Sequence, residues 1–266
     1  SSAALSSISP GLSVPILQIC NVSKTLGGRR VLDGISFALE KGQSCAIIGP
    51  SGEGKTTLLK CLNLLVAIDA GEIFLDGALV VRVEEGGRLP YPSMDPVRLR
   101  QRIGMVFQEW NLWPNMTVRK NITLALRHVR GLRRREAEQV AEAVCEKVHL
   151  REKLDVYPYS LSGGEKQRAA IARALAMDPE ILMLDEVTSA LDPVLAAEVL
   201  QTMLELKQDG RTLVVVTHHI DFARKIADEV LFLHGGRVHE AGPPIVLQQP
   251  QTNELASFLR QVRQVH

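Results

Sequence analysis

Gly49-Pro50-Ser51-Gly52-Glu53-Gly54-Lys55-Thr56 sets a lysine and a hydroxyl behind a run of small residues, in the full pattern G-x-x-x-x-G-K-[ST]. Gly52 and Gly54 free the backbone for conformations that a β-carbon forbids, so that successive N–H groups can converge on phosphate oxygens at the positive end of a helix. Lys55 adds a mobile cation for β- and γ-phosphates, and Thr56, followed by Thr57, offers a hydroxyl to Mg²⁺. A glycine turn that holds these fixed positions by chance would occur in roughly one such chain in a hundred. Glu53 is the odd member, a negative charge inside the loop at a variable position.

Two further constellations could handle phosphate. Ile181-Leu182-Met183-Leu184 is an apolar run that ends in Asp185-Glu186, as a buried parallel strand would, with both acids at the carboxyl end where such sheets gather ligands. Asp185 there would hold Mg²⁺, and Glu186 would polarise an attacking water. Leu161-Ser162-Gly163-Gly164-Glu165 opens an apolar helix. Ser162 and Glu165 have capping-box spacing, and the two glycines expose helix N–H groups as a second anion site. Thr212 to Thr217 is a strand that ends at His218-His219, where an imidazole could contact a γ-phosphate.

The elements that must position these groups follow from pattern. Ser44 to Ile48 before the glycine loop is a short buried strand, and Thr57 to Leu62 after it is helical. Ile16 to Val22 and Val31 to Leu39 read as strands around a Gly27-Gly28 turn, and Gly71 to Gly77 reads as a strand ending in an Asp-Gly hairpin signal. Val83 to Pro96 is a loop, Val97 to Arg102 a short basic helix and Ile103 to Phe107 a compact strand ending at Gln108. Thr117 to Val129 and Arg133 to Leu150 carry helical spacing and mark a helical insertion that closes near Tyr157-Pro158-Tyr159. Its cluster of Arg127, Arg130 and Arg133 to Arg135 has no aromatic platform and reads as a solvated or partner-facing surface.

With 266 residues, 45% of them apolar, the chain can bury one large core or two joined subdomains. Its 31 basic and 30 acidic side chains balance to +1, which gives no reason to propose nucleic acid as a partner. Cys20, Cys45, Cys61 and Cys145 show no C-x-x-C spacing and sit among apolar residues as reduced thiols, which fits a cytosolic compartment. No apolar run reaches the length of a membrane span. Ser1 to Pro10 lacks the basic and apolar regions of a signal peptide and reads as part of a flexible leader, residues 1–15.

In this order the motifs resemble those of the ATP-binding subunit of ABC transporters, from Ile16 to about Leu259. Gly49 to Thr56 looks like Walker A, Gln108 the Q-loop glutamine, Leu161 to Glu165 the signature, and Ile181 to Glu186 Walker B with its catalytic Glu. Ser189-Ala190-Leu191-Asp192 is similar to the D-loop, and His218 falls at the switch histidine. The resemblance implies an α/β fold, a P-loop NTPase RecA-like core (16–108 and 169–250) with a β-rich N-terminal subdomain, an inserted helical subdomain (109–168) and a C-terminal helix (251–266). It implies ATP and Mg²⁺, bound by Gly49 to Thr57 with Asp185 and Gln108, and catalysis by Lys55, Gln108, Glu186 and His218. It implies a second copy packed head to tail, so that each ATP lies between one copy's Walker A loop and the other's Ser162, Gly163 and Gly164. It implies integral membrane permease subunits as partners, a substrate-binding protein indirectly, and a peripheral place on the cytoplasmic side of the inner membrane.

Lys60 to Leu65, Phe107 to Pro114 and Ala172 to Pro179 are similar to the importers of polar amino acids, although ATPases that serve lipids, metals or peptides share much of this wording. Three positions depart from the family: Leu26 stands near where an aromatic commonly stacks on adenine, Val187 where Pro follows the catalytic Glu, and Glu53 within the loop. A soluble ABC ATPase acting on DNA or ribosomes would usually carry long coiled-coil insertions or fused tandem copies, neither of which is present. A module that held ATP without turning it over would have no use for Glu186 and His218. Trp110 and Trp113, both tryptophans of the chain, follow Gln108, and at least one is expected to line a groove for a helix of the membrane partner.

Overall fold

The computed structural model describes residues 14–86 and 92–265. Most of the expected leader and the middle of the Val83 to Pro96 loop lie outside that range. Two sheets carry the described strands. The first has the order β2-β1-β4-β5 and is antiparallel throughout, with β1 Leu17–Leu26, β2 Arg29–Leu39, β4 Ala70–Leu75 and β5 Ala78–Val83. The second has the order β10-β9-β3-β8-β7-β6, with β3 Ser44–Ile48, β6 Ile103–Val106, β7 Ile181–Asp185, β8 Thr212–Val216, β9 Glu229–His234 and β10 Arg237–Gly242. Its four pairings from β9 to β6 are parallel, and β10 returns antiparallel on β9.

Complete burial explains the central strands. Every residue of β3, β7 and β8 is buried, as expected where helices or a second sheet cover both faces. One core lies between the two sheets and under α1 Lys55–Leu62, joining Leu17, Ile19 and Leu32 to Ile47, Leu58 and Val214. A second core gathers the helical region: α3 Val118–His128, α4 Arg134–Lys147 and α5 Gly163–Ala176, with α6 Pro193–Gln208 and the far face of β7 and β8. A third, smaller core seats α7 Ile220–Ile226 and α8 Asn253–Val265 on β9.

The caps follow local chemistry. Asp95 caps α2 Pro96–Arg102, Thr117 caps α3, and Asp192 caps α6 by accepting from the N–H groups of Val194 (3.0 Å) and Leu195 (3.2 Å). Ser162 and Glu165 form the capping box expected of them, each side chain on the other's N–H. α3 and α4 leave the second sheet after β6, and α5 returns the chain to β7, so the helical region stands between two adjacent, parallel strands.

Candidate functional site

The glycine loop joins β3 to α1. Gly54 caps the helix at φ 86°, and Gly49 and Gly52 hold φ of 148° and 82°. Two of these glycines are also required by space. A Cβ on Gly49 would lie 2.2 Å from the Leu233 carbonyl oxygen, and one on Gly54 would lie 2.6 Å from that of Val31. The loop thus wraps against β9 and β2 with its N–H groups at the start of α1, an arrangement suited to phosphate.

A cavity of about 270 Å³ opens over this loop, lined by Val31, Ser51, Gly52, Gly54, Lys55, Thr56, Thr57 and Glu186. Lys55 is only 6% exposed, and its Nζ donates to the carbonyls of Gly49 and Pro50, both at 2.8 Å. Burial lowers the Lys55 pKa, while the charges of Glu186, Asp185 and Glu53 act to raise it. Its Nζ stands 4.0 Å from Glu186 Oε1. Thr56 Oγ1 donates to Asp185 Oδ1 at 3.0 Å, bridging 129 positions of sequence. Burial pushes the Asp185 pKa up; the Thr56 hydroxyl and Lys60 and Lys55 oppose this, and Glu186 adds to it. A hydroxyl and a carboxylate are hard oxygen donors, and Mg²⁺ is commonly held by one or two carboxylates with the remaining positions left to water and phosphate. The donor set therefore fits that ion.

Glu186 has φ of 47°, an uncommon conformation for a residue with a side chain, and its backbone is tied down on both sides. Its N–H donates to the Val216 carbonyl (3.0 Å), and its carbonyl accepts from Ser189 N–H (3.1 Å) and Ser189 Oγ (2.9 Å). The turn aims a carboxylate at the cavity from the end of β7. Val187 is buried beside it.

Glu53 points away from the loop's interior. Its Oε2 accepts from Gly236 N–H (3.3 Å) and its Oε1 is 3.9 Å from His234 Nδ1, so the acid braces the β9–β10 turn. Gln108 lies two residues beyond β6, whose Val106 pairs with Leu184, and so stands beside the end of β7 with its side chain exposed. His218 borders a different cavity, of about 590 Å³, with Thr188, Ser189, Leu191 and Asp221, and its ring is 4.4 Å from that of His219. Ser162, Gly163 and Gly164 line neither cavity. Leu26 is 43% exposed at the tip of the β1–β2 hairpin, outside the phosphate-loop cavity.

Val31 and Arg173 were not singled out from the sequence. Val31 walls the cavity through a contact across the fold for which local pattern gives no signal. Arg173 donates to the carbonyls of Asn111 (2.6 Å) and Trp110 (3.3 Å), holding the segment after Gln108 against α5. An arginine in a helix whose other face is apolar hints at such a role and does not identify its target.

Residues 32–189 match the family model described as ABC transporter. The chain belongs to the ABC transporter family. Among curated relatives of this ABC protein, the arginine/ornithine transport ATP-binding protein AotP of Pseudomonas aeruginosa is 45% identical over 246 residues, covering 91% of this chain and 97% of that one. The octopine permease ATP-binding protein P of Rhizobium radiobacter is 43% identical, over 92% of this chain and 95% of its own. The glutamine transport ATP-binding protein GlnQ of Escherichia coli is 42% identical, over 93% and 100%. A solved ATP-binding cassette, dimeric in a post-hydrolysis state bound to ADP and Pi, superposes with a TM-score of 0.71 at 30% identity, over 86% of this chain and 98% of its own.

Proposed function

We propose that this ABC protein is the ATP-hydrolysing subunit of an importer of polar amino acids, acting as a head-to-tail pair beneath two permease subunits on the cytoplasmic face of the membrane. The observation that carries the reading is the single cavity into which Lys55, Thr56 and Glu186 converge, with Asp185 bonded to Thr56 at 3.0 Å. The cargo follows the relatives, whose names give octopine, arginine, ornithine and glutamine. A substrate-binding protein would present that cargo to the permease.

In this reading the loop N–H groups and Lys55 hold the phosphates, and Lys55 exchanges its loop carbonyls for phosphate oxygens. Thr56 and Asp185, with Gln108, would hold Mg²⁺, which would supply charge neutralisation to the phosphates. Glu186 accepts the proton of the attacking water. His218, Ser162, Gly163 and Gly164 lie away from the cavity within one chain. A second copy brings its helix α5 N-terminus onto the γ-phosphate, and ATP becomes the adhesive of the pair.

Glu186→Gln tests this. The variant keeps shape and loses the base, so it should bind MgATP, hydrolyse it at least about 100-fold more slowly and accumulate as a dimer by light scattering. Dimerisation without ATP, or unimpaired turnover, would refute the assignment.

A further inference from the structure

We propose that the arginine-rich turn between α3 and α4, with the groove beside it, is a docking surface for an anionic phospholipid bilayer. The proposal rests on the reading of the chain as a subunit that works beneath a permease. Residues 127–135 hold five arginines and no acid in a chain whose net charge is +1, so positive charge is concentrated here and the remainder is net acidic. The turn itself is firmly built. Gly131, at φ 66°, follows the end of α3, and the N–H groups of Val129 and Leu132 donate to the carbonyls of Ala125 (2.8 Å) and Leu126 (3.0 Å). Leu132 packs against the helical core, and Arg127, Arg130, Arg133 and Arg135 stay exposed around it.

These arginines differ from others in what holds them. Arg82, Arg102, Arg211 and Arg237 each pair with a carboxylate. Arg127, Arg130 and Arg135 make no side-chain hydrogen bond or ion pair among the described residues. A cavity of about 780 Å³ between α3 and α4 continues the surface. Lys120, Thr123 and Arg127 line it from α3 at i, i+3 and i+7, on one face of that helix. Among the described residues Lys120 also lacks a partner, and the hydroxyl of Thr123, a residue only 9% exposed, makes no hydrogen bond. The three acids that share the cavity are already engaged, Glu138 by Arg134 (2.9 Å), and Glu142 and Asp155 by Arg119 (3.1 and 2.8 Å).

Cations and a hydroxyl without partners suit oxyanions, and several cations spread along a turn suit several of them. A bilayer rich in anionic headgroups supplies these at spacings that adjust to the protein, and each arginine near it adds a similar increment of binding that salt screens. Val129, 46% exposed among the arginines, offers the apolar contact that the boundary between water and lipid accepts. Nucleic acid fits less well, because no aromatic residue lies between Pro114 and Val156 to stack on a base. The groove then seats one phosphate headgroup against Thr123 while the turn meets its neighbours.

Flotation of the full chain, without nucleotide, tests this with vesicles of phosphatidylcholine and of equal parts phosphatidylcholine and phosphatidylglycerol. The chain should bind only the mixed vesicles, and raising salt from about 50 mM to about 500 mM should release it. Arg130→Gln combined with Arg135→Gln should weaken binding at least about tenfold, and Thr123→Val about threefold. Arg98→Gln combined with Lys225→Gln makes the same change of charge at exposed positions on α2 and α7 and should weaken binding less than about twofold. Equal binding to pure phosphatidylcholine, an equal loss in the α2 and α7 control, or wild-type affinity in the arginine pair or in Thr123→Val overturns the proposal. Tighter binding to polyglutamate or to a DNA oligonucleotide also overturns it, by assigning the surface to acidic protein or to nucleic acid, as does full competition by free glycerol phosphate, which leaves a site for a small anion. Because no nucleotide is present, failure here leaves the phosphate site standing, and Glu186→Gln decides that assignment separately.

Discussion

Three acids and one lysine set the balance of the site. Lys55 is buried with its ammonium on two carbonyls, and the carboxylates of Glu186, Asp185 and Glu53 keep its charge tolerable. Glu53, which looks misplaced in a phosphate loop, is drawn off by Gly236 and His234 and contributes its field at a distance. Asp185 is the member that burial disfavours as an anion, and the Thr56 hydroxyl with the charges of Lys60 and Lys55 does not offset this. A divalent cation between them would restore the ionised form. Asp185→Asn should therefore raise the Mg²⁺ concentration that half-saturates ATPase by tenfold or more, an estimate of about 1.4 kcal/mol or more at the ion, while nucleotide binding without metal changes little. A magnesium titration of steady-state ATPase measures the first and calorimetry in EDTA the second. An unaltered Mg²⁺ requirement would remove Asp185 from the metal site.

At the scale of elements, α8 shows how one buried carboxylate fixes a whole helix. Glu240 on β10 is 8% exposed and accepts from Thr252 Oγ1 (2.6 Å) and from the N–H groups of Gln251 and Thr252, both at 3.0 Å. Burial alone would raise its pKa, but these hydrogen bonds prevail and the pKa is lowered. A carboxylate with a depressed folded pKa stabilises fully above its unfolded value of about 4.3 and loses that contribution as pH falls through the folded value. Glu240→Gln should cost about 1–3 kcal/mol at neutral pH and flatten the acid limb of the stability curve. Denaturant titrations at pH 7 and in steps below pH 4.5 would show both effects, and an unchanged acid limb would count against the latch.

The same scale shows what the sequence could reveal. β3 runs from Ser44 to Ile48 as its pattern predicts, because an all-buried strand bounded by Lys41-Gly42 and Gly49 has sharp edges. α3 and α4 lie within one to three residues of the spans read from their 3.6 period. β1 and β2 extend to Leu26 and from Arg29, beyond the spans their weak alternation suggested, and their pairing shifts register three times between Ile19 and Thr25. Such irregularity erases strict alternation from the sequence. The site was legible as separate motifs. That Thr56 meets Asp185, or that Val31 walls the loop, depends on the order of strands in the sheets, which no local spacing encodes.

On the proposed function the whole molecule must pass hydrolysis at Glu186 to a membrane partner, and the two tryptophans would divide that task. Trp110 is half-buried, with Lys166 of α5 4.7 Å from its ring centre, and a Cβ on Gly163 would come within 3.7 Å of its indole and 2.9 Å of the Leu191 side chain. It thus ties the segment after Gln108 to the helix that would face a second copy's ATP, and Arg173 fastens the same segment from α5. Trp113 is 54% exposed, while its backbone N–H and carbonyl are both held by Asn121 of α3, at 2.8 and 3.1 Å. An exposed indole on a fixed backbone has the form of an interface anchor. Trp113→Ala should leave fold and basal ATPase of the subunit within about twofold, since little core packing is lost, and should uncouple hydrolysis from transport when the permease is present. Trp110→Ala should instead lower ATPase in the isolated subunit, because its contacts lie on α5. Proteoliposomes that report ATPase and uptake together distinguish the two roles, and transport that survives Trp113→Ala at the wild-type ratio to ATP would return that indole to the ordinary surface.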